Sequence, residues 1–341
     1  LLQSDACLRD AIKAIDHSRH KMALVVDDDR RLLGTITDGD VRRALLAGSD
    51  MDTSATSIMF TEPVTAREDT LTTSIEAARR RNLVKLPLLD SENRIIGIHV
   101  IEDAGAEPNA ENIVVLMAGG LGKRLRPLTN DAPKPLLDVG EKPLIETIVD
   151  RLVENGFCKI YFAVRYKAEM VEEHFGDGSR WAADFQYIHE PAPLGTAGAL
   201  GLLPERPDKP FIVMNADLLT KIDLRQLLDF HDDSSSAATM AVRAYDFEIP
   251  YGVVSTEGHR ITGIEEKPVQ QIFVNAGIYV INPETLDLVK PDEHLDMPDL
   301  FNALIEGGLH TAAFPIREYW IDVGRMEDYR RANDEFEDEF G

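Results

Sequence analysis

The stretch LMAGGLGKRLRPLTNDAPKP, Leu116 to Pro135, gathers three glycines and the cations Lys123, Arg124, Arg126 and Lys134 on one loop. The chain around it is acidic: 341 residues, with 36 Lys and Arg against 60 Asp and Glu, and a formal net charge of −24. Such a surface repels nucleic acid, so a site for an anionic substrate must be built from local cations. Gly119, Gly120 and Gly122 let backbone N–H groups approach an anion without Cβ interference. Four Lys and Arg side chains suit a triphosphate with about four negative charges. Two phosphate motifs are excluded. A P-loop fails because Arg124 follows Gly122-Lys123 and Met117 stands where the first glycine belongs. A dinucleotide fingerprint fails at Leu125, the place of its third glycine.

Other residues stand out by position. Asp217 ends the apolar run FIVMNAD; either it binds a cation or it caps a following helix. Asp322 lies in YWIDVG, and a carboxylate in apolar company has a partner, of which a metal is one. Lys134 between two prolines, and Lys267 before Pro268, are solvated loop charges or side chains aimed by a stiff backbone. The nine histidines form no metal pattern; His17 and His20 sit on a polar helix end. The two cysteines, Cys7 and Cys158, make neither a disulfide framework nor a zinc cluster and fit a reducing, cytoplasmic compartment. No apolar run approaches the roughly 20 residues of a membrane span. Neither a membrane nor a nucleic acid is an expected partner.

These residues need elements to hold them. From Ile113, apolar runs (IVVLMA, KIYFAVR, FIVMNAD, AATMAVRAY, VNAGIYVI) alternate with helical spacings (PLIETIVDRLVENG, KAEMVEEHF, DLRQLLDFH). The alternation predicts an α/β domain, a Rossmann-like, mostly parallel sheet with flanking helices and ligands at the carboxyl ends of strands. The glycine loop follows the first strand directly. The tail MEDYRRANDEFEDEFG reads as an acidic amphipathic helix with a solvated face.

The first hundred residues repeat without a gap 63 positions on: Ile12 falls over Ile75, Asp27 over Asp90, Gly34 over Gly97 and Asp40 over Asp103. Each copy predicts a helix, a strand, an acidic turn and a second strand. Residues 1–104 resemble a tandem pair of CBS domains, an α+β module that often binds adenine nucleotides. That resemblance implies a ligand held by Gly34, Thr37 and Asp40, with one good site at most because Val100 replaces the threonine in the second copy. The alternative is a dimerisation platform in which Asp40 caps a helix beginning at Val41. The first copy lacks most of the segment that precedes the second, and the chain opens on Leu-Leu-Gln, so a truncated start is expected. Residues 105–112 read as a linker, with Pro108 among small polar residues, and 113–341 as the second domain.

Gly119 to Thr129, then Pro133-Lys134-Pro135, then Lys142-Pro143 and Glu146 resemble the signature of sugar-1-phosphate nucleotidyltransferases, with Lys123 where many relatives carry Thr. The resemblance runs over residues 113–335. It implies that a nucleoside triphosphate and a sugar 1-phosphate give a nucleoside-diphosphate sugar and pyrophosphate, with Mg²⁺ on Asp217 and Asp322. Arg124 then holds the leaving pyrophosphate, Lys134 neutralises the α-phosphate, and Lys267 holds the attacking sugar phosphate. EPAPLGTAGAL supplies Glu190, Gly195 and Thr196 around base and ribose; PYGVV supplies Tyr251 and Gly252; EEKP supplies Glu266; VNAGIYVI supplies Asn275 and Gly277 along the sugar. Glu190 can accept two N–H bonds from guanine, which uracil does not offer, and is otherwise a surface acid. The expected reaction is GTP with mannose 1-phosphate or a related hexose or hexosamine phosphate. Uridylyl, thymidylyl or cytidylyl transfer stay open, as does a catalytically silent sensing subunit. A homo-oligomer is expected, since CBS pairs commonly associate.

Overall fold

The sequence repeat is a structural repeat. Strand Met22–Val26 pairs antiparallel with Leu32–Thr37, and Lys85–Leu89 with Ile95–Val100. Both ladders slip register at the same place, Val25/Val26 and Leu88/Leu89. The helices Leu8–His17 and Leu71–Arg79 precede them at the same offset. The acidic turns are identical devices. Asp27 Oδ1 accepts the N–H groups of Asp29 and Arg31 at 3.0 and 2.8 Å, and Asp90 Oδ1 those of Glu92 and Arg94 at 2.8 Å each. The turns then bond to each other, Leu32 N–H to the Asn93 carbonyl at 3.0 Å and Ile95 N–H to that of Arg30 at 3.1 Å.

The computed structural model describes residues 1–18, 20–67, 70–79, 85–101 and 110–341. The chain divides into two units, Leu1–Ala106 and Glu107–Gly341. Asp103 and most of the expected linker lie outside the described residues. Ala110 and Asn112, expected in the linker, are tied to the second unit: Ala110 N–H bonds to the Gly156 carbonyl at 2.8 Å, and Asn112 Nδ2 to that of Pro210 at 2.7 Å.

The second unit is built on seven strands: β1 (Val114–Met117), β2 (Lys159–Val164), β3 (Asp184–His189), β4 (Phe211–Asn215), β5 (Ala238–Glu248), β6 (Val269–Ile281) and β7 (Thr311–Ile316). Their spatial order is β3-β2-β1-β4-β6-β5-β7. β6 runs antiparallel to β4 and β5, and every other pairing is parallel. Alternate residues of β1 enter opposite cores. Val114 and Leu116 meet the helices Leu144–Glu154 and Leu224–Asp233, whereas Val115 meets Met297–Glu306. Coverage on both faces is why β1 reads as an unbroken apolar run. The C-terminal helix Met326–Phe340 is not wholly solvated: Tyr329, Phe336 and Phe340 pack against Leu144, Leu219, Ile321 and Val323.

β5 and β6 outrun the sheet. Past the last β7 pairing, Arg243 with Ile316, they pair only with each other, from Ala244–Phe273 to Glu248–Val269. Beyond them a further hairpin joins Val253–Glu257 to Arg260–Glu265.

Candidate active site

The glycine loop leaves the end of β1 at the middle of the sheet. Leu125 is fully buried and pins it. Gly122 has a φ of +57°, and a Cβ there would lie 2.7 Å from Thr129 Cγ2 and 3.0 Å from Lys134 Cβ. Thr129 closes the contact by donating its hydroxyl to the Gly122 carbonyl at 2.9 Å. The loop therefore folds onto Lys134, which is 8% exposed, while Lys123, Arg124 and Arg126 remain in solvent.

The Lys134 ammonium is paired with Asp217 Oδ2 and lies 3.8 Å from Asp322 Oδ1. Backbone pairing brings the two carboxylates together. Asp217 follows β4, the strands Leu218–Thr220 and Trp320–Asp322 form a ladder that sets Leu218 opposite Asp322, and Val323 N–H donates to the Asp217 carbonyl at 3.0 Å. No helix starts at Asp217, so the capping alternative fails; the helix at Leu224 is capped by Asp223, which accepts from Arg225 and Gln226. Asp217 Oδ1 is buried without a hydrogen-bond partner. Although nearly half the Asp322 side chain is open to solvent, burial and then the Asp217 charge push its carboxyl upward, against Lys134 and Arg124. No group of three or more His, Cys, Asp or Glu arranged to hold a metal occurs among the described residues. The donor set is a carboxylate pair, which suits a hard cation that keeps other oxygens in its shell.

Two lobes open from this centre and share Thr196, Asn215 and Asp322. The first, about 410 Å³, is lined by Gly119, Gly120, Arg124, Glu190, Gly195 and Asp217. A Cβ on Gly195, at φ +79°, would meet the Leu295 carbonyl at 2.5 Å, so only glycine lets this loop lie there. Thr196 N–H donates to Asp296 Oδ1 at 3.0 Å, and Thr196 Oγ1 accepts from Met297 N–H at 2.8 Å. Glu190 Oε2 accepts the Leu194 N–H at 3.2 Å; burial raises its carboxyl, with that bond and Arg165 pulling it down. The second lobe, about 350 Å³, is lined by Asn275, Gly277, Tyr279, Asp296 and Trp320. Burial pushes the Tyr279 hydroxyl up to about 12, so it stays neutral and bonds to the Asn275 amide at 2.8 Å.

Arg165 and His294 of the first lobe do not stand out in the sequence. Arg165 is one past the end of β2 with a buried Nε that has no partner, and His294 arrives from a distant loop. The structure does not bring Tyr251, Gly252, Glu266 or Lys267 into either lobe. They lie on the β5–β6 extension, where a Cβ on Gly252 would sit 2.9 Å from Glu266 Oε2. In the first unit, Thr37 caps the helix Asp38–Leu46, which starts three residues earlier than expected, and Asp40 Oδ2 accepts the Thr37 N–H and hydroxyl at 2.8 and 2.7 Å. Gly34 lies against the Phe60 carbonyl. A cleft of about 350 Å³ in this unit is lined instead by Met22, Leu24, Arg30, Ile95 and Gly97 among others, from both copies.

Residues 113–339, well over half of the chain, match the nucleotidyl transferase family. The chain belongs to that family. Residues 4–47 match the CBS domain. Relatives of the chain include a UTP–glucose-1-phosphate uridylyltransferase of Synechocystis sp., 32% identical and covering 64% of this chain and 61% of the relative. A mannose-1-phosphate guanyltransferase of Candida albicans is 33% identical, with coverage of 63% and 62%. Among solved structures, HddC from Yersinia pseudotuberculosis complexed with GMP-PN is similar at 26% identity and a TM-score of 0.53, covering 66% of this chain and 99% of that one. The chain thus spans about 61–62% of the length of these curated relatives. No helix among the described residues is long and apolar enough to cross a membrane.

Proposed function

We propose that the second unit joins a nucleoside triphosphate to a sugar 1-phosphate, releasing pyrophosphate. The observation that carries this reading is the Lys134 ammonium between Asp217 and Asp322, where the two lobes meet. A phosphate oxygen of the sugar attacks the α-phosphorus, the α–β bridging P–O bond breaks, and its electron pair leaves with pyrophosphate. Two anions must meet, so the task is positioning and charge neutralisation. The attacking phosphate is already ionised, and no general base is needed. The backbone of Gly119–Gly122 faces the triphosphate, with Arg124 at the leaving group and Lys134 at the α-phosphate. Lys123 is the outer cation of the same loop. Asn275, Gly277 and the Tyr279–Asn275 pair take sugar hydroxyls, and Thr196 with Gly195 borders the base and ribose.

Mg²⁺ held by Asp217 and Asp322 would neutralise phosphate charge there. The partnerless, buried Asp217 Oδ1 supports that fit. Glu190 favours guanine, whose N–H edge a carboxylate can accept. The substrates are then GTP and mannose 1-phosphate or a related hexose or hexosamine phosphate, in a cytoplasmic setting. Incubation with each triphosphate, Mg²⁺ and a panel of sugar 1-phosphates, followed by pyrophosphate release, tests this. Turnover with GTP is expected; turnover with UTP or dTTP and none with GTP would refute it.

For the first unit we propose an adenine nucleotide at Gly34, Thr37 and Asp40, on the strength of the CBS match alone, since in this structure the Asp40 carboxylate is taken by Thr37. Calorimetric titration of the full chain with AMP and ATP should give heat. Neither heat nor a thermal shift would leave a scaffold role.

A further inference from the structure

The carboxyl edge of the sheet sets four functional groups in the order of its strands. Glu190 follows β3, Arg165 follows β2, the glycine loop follows β1 and Asp217 follows β4, and those strands are neighbours in that order. The phosphates belong at the β1 and β4 ends, where Lys134 meets Asp217. The β2 and β3 ends are left for the base. There the register is fixed: Val164 pairs with His189, and Glu190 N–H donates to the Val164 carbonyl at 3.0 Å. Arg165 and Glu190 are the next step of that ladder, one strand spacing of about 4.8 Å apart. Both line the first lobe. Gly119 leaves room for both, since a Cβ there would also lie 3.5 Å from Arg165 Cβ. The Arg165 charge draws the Glu190 carboxyl down, yet Arg165 Nε is itself buried with no hydrogen-bond partner. An orphaned guanidinium N–H is costly, and an acceptor on a ligand would relieve it.

We propose that Arg165 is a specificity-determining residue: it donates to O6 and N7 of guanine while Glu190 accepts from N1 and N2 of the same base. The inference rests on the guanine reading given above and supplies its other half. A carboxylate reads only donors. Guanine carries two acceptors, O6 and N7, beside its N1–H and N2–H₂ groups, and an arginine fork matches that pair bidentately. Adenine puts its N6 amino donor where guanine has O6, so it meets Arg165 donor to donor. Uracil has no N7 and no donor pair for Glu190. The two side chains thus exclude different wrong bases. A contact from Arg165 to phosphate would instead neutralise charge whatever the base.

Calorimetric titration of the full chain with GTP and with 7-deaza-GTP, in which a C–H group replaces N7, tests this. The wild type should bind 7-deaza-GTP about 10-fold more weakly than GTP. Arg165→Met should bind GTP more weakly and no longer distinguish the two. Inosine triphosphate keeps O6 and N7 but lacks the N2 amino group. It should lose affinity by the same factor in wild type and Arg165→Met, because Glu190 carries that contact. Equal affinity of the wild type for GTP and 7-deaza-GTP would overturn the assignment with no variant needed. An N7 preference that survives in Arg165→Met would place the contact on another donor, such as His294, and overturn it too. So would a uniform loss for GTP, 7-deaza-GTP and UTP in Arg165→Met, the mark of a phosphate contact. Binding of UTP without binding of GTP would instead refute the guanine reading itself, and the inference with it.

Discussion

A Cβ on Gly119 would lie 2.2 Å from Glu190 Oε1. The phosphate loop and the base-side acid are therefore in contact, and glycine at 119 is what leaves the carboxylate room. Gly119→Ala should displace the flexible Glu190 tip, with little loss of melting temperature. Turnover with GTP should fall about 10- to 100-fold, and discrimination against other bases should narrow. Steady-state kinetics with each triphosphate, beside a thermal melt, checks this.

Glu190 also sets a pH dependence. Burial raises its carboxyl in the fold, so the protonated form is favoured relative to the unfolded chain. Its contribution to stability is present at low pH and is lost as pH rises through the folded pKa. Recognition of guanine N–H groups has the opposite sign, because it needs the carboxylate. GTP affinity should therefore weaken on acidification at a pH above the ordinary glutamate value of about 4.3. Glu190→Gln should remove that limb and bind GTP more weakly at neutral pH. Calorimetric titration across pH 4–8 reads both; an unchanged acid limb in the variant would exclude Glu190 as its origin.

Lys134 is a nearly buried cation paired with Asp217. Lys134→Met leaves Asp217, whose Oδ1 already lacks a partner, without its counter-charge. A loss of about 3 kcal/mol in denaturant stability is expected, as when one partner of a buried pair is deleted. Turnover should fall at least about 10²-fold. Manganese binding, followed by electron paramagnetic resonance, should survive Lys134→Met but weaken in Asp217→Asn.

Gly122 combines left-handed backbone with a close approach to Thr129 and Lys134. Gly122→Ala meets both the φ penalty and the contact, and should cost about 1–3 kcal/mol. Activity should fall with stability, because the same residue seats Lys134. A melt close to wild type would show that the loop relaxes freely.

Much of this site was legible because its chemistry is local. Three glycines and four cations follow one strand, and the strand's apolar run announces the middle of a sheet. Asp27 and Asp90 were readable as turn acids because the side chain closes its own loop within four residues. Asp217 offered two readings in sequence; only the ladder between Leu218–Thr220 and Trp320–Asp322 separates them. Arg165 ends KIYFAVR, and its place just past a parallel strand was the available signal. His294 had none. It comes to the cleft because Leu295 N–H bonds to the Leu194 carbonyl at 2.9 Å, a contact across a hundred residues. The resemblance carried Lys267 and Glu266 into the site by motif, but whether a strand pair folds over a cleft or projects from it is a tertiary property that alternation does not encode.

A single cleft that joins two phosphorylated molecules at the α-phosphorus must pass the α-phosphate to the sugar. Supplying GTP labelled on the α-phosphate with Mg²⁺ and mannose 1-phosphate or a hexosamine 1-phosphate tests it most directly. The label should move into a GDP-sugar with one equivalent of unlabelled pyrophosphate released. Label found only in GMP or GDP, with orthophosphate and no sugar nucleotide, would contradict it.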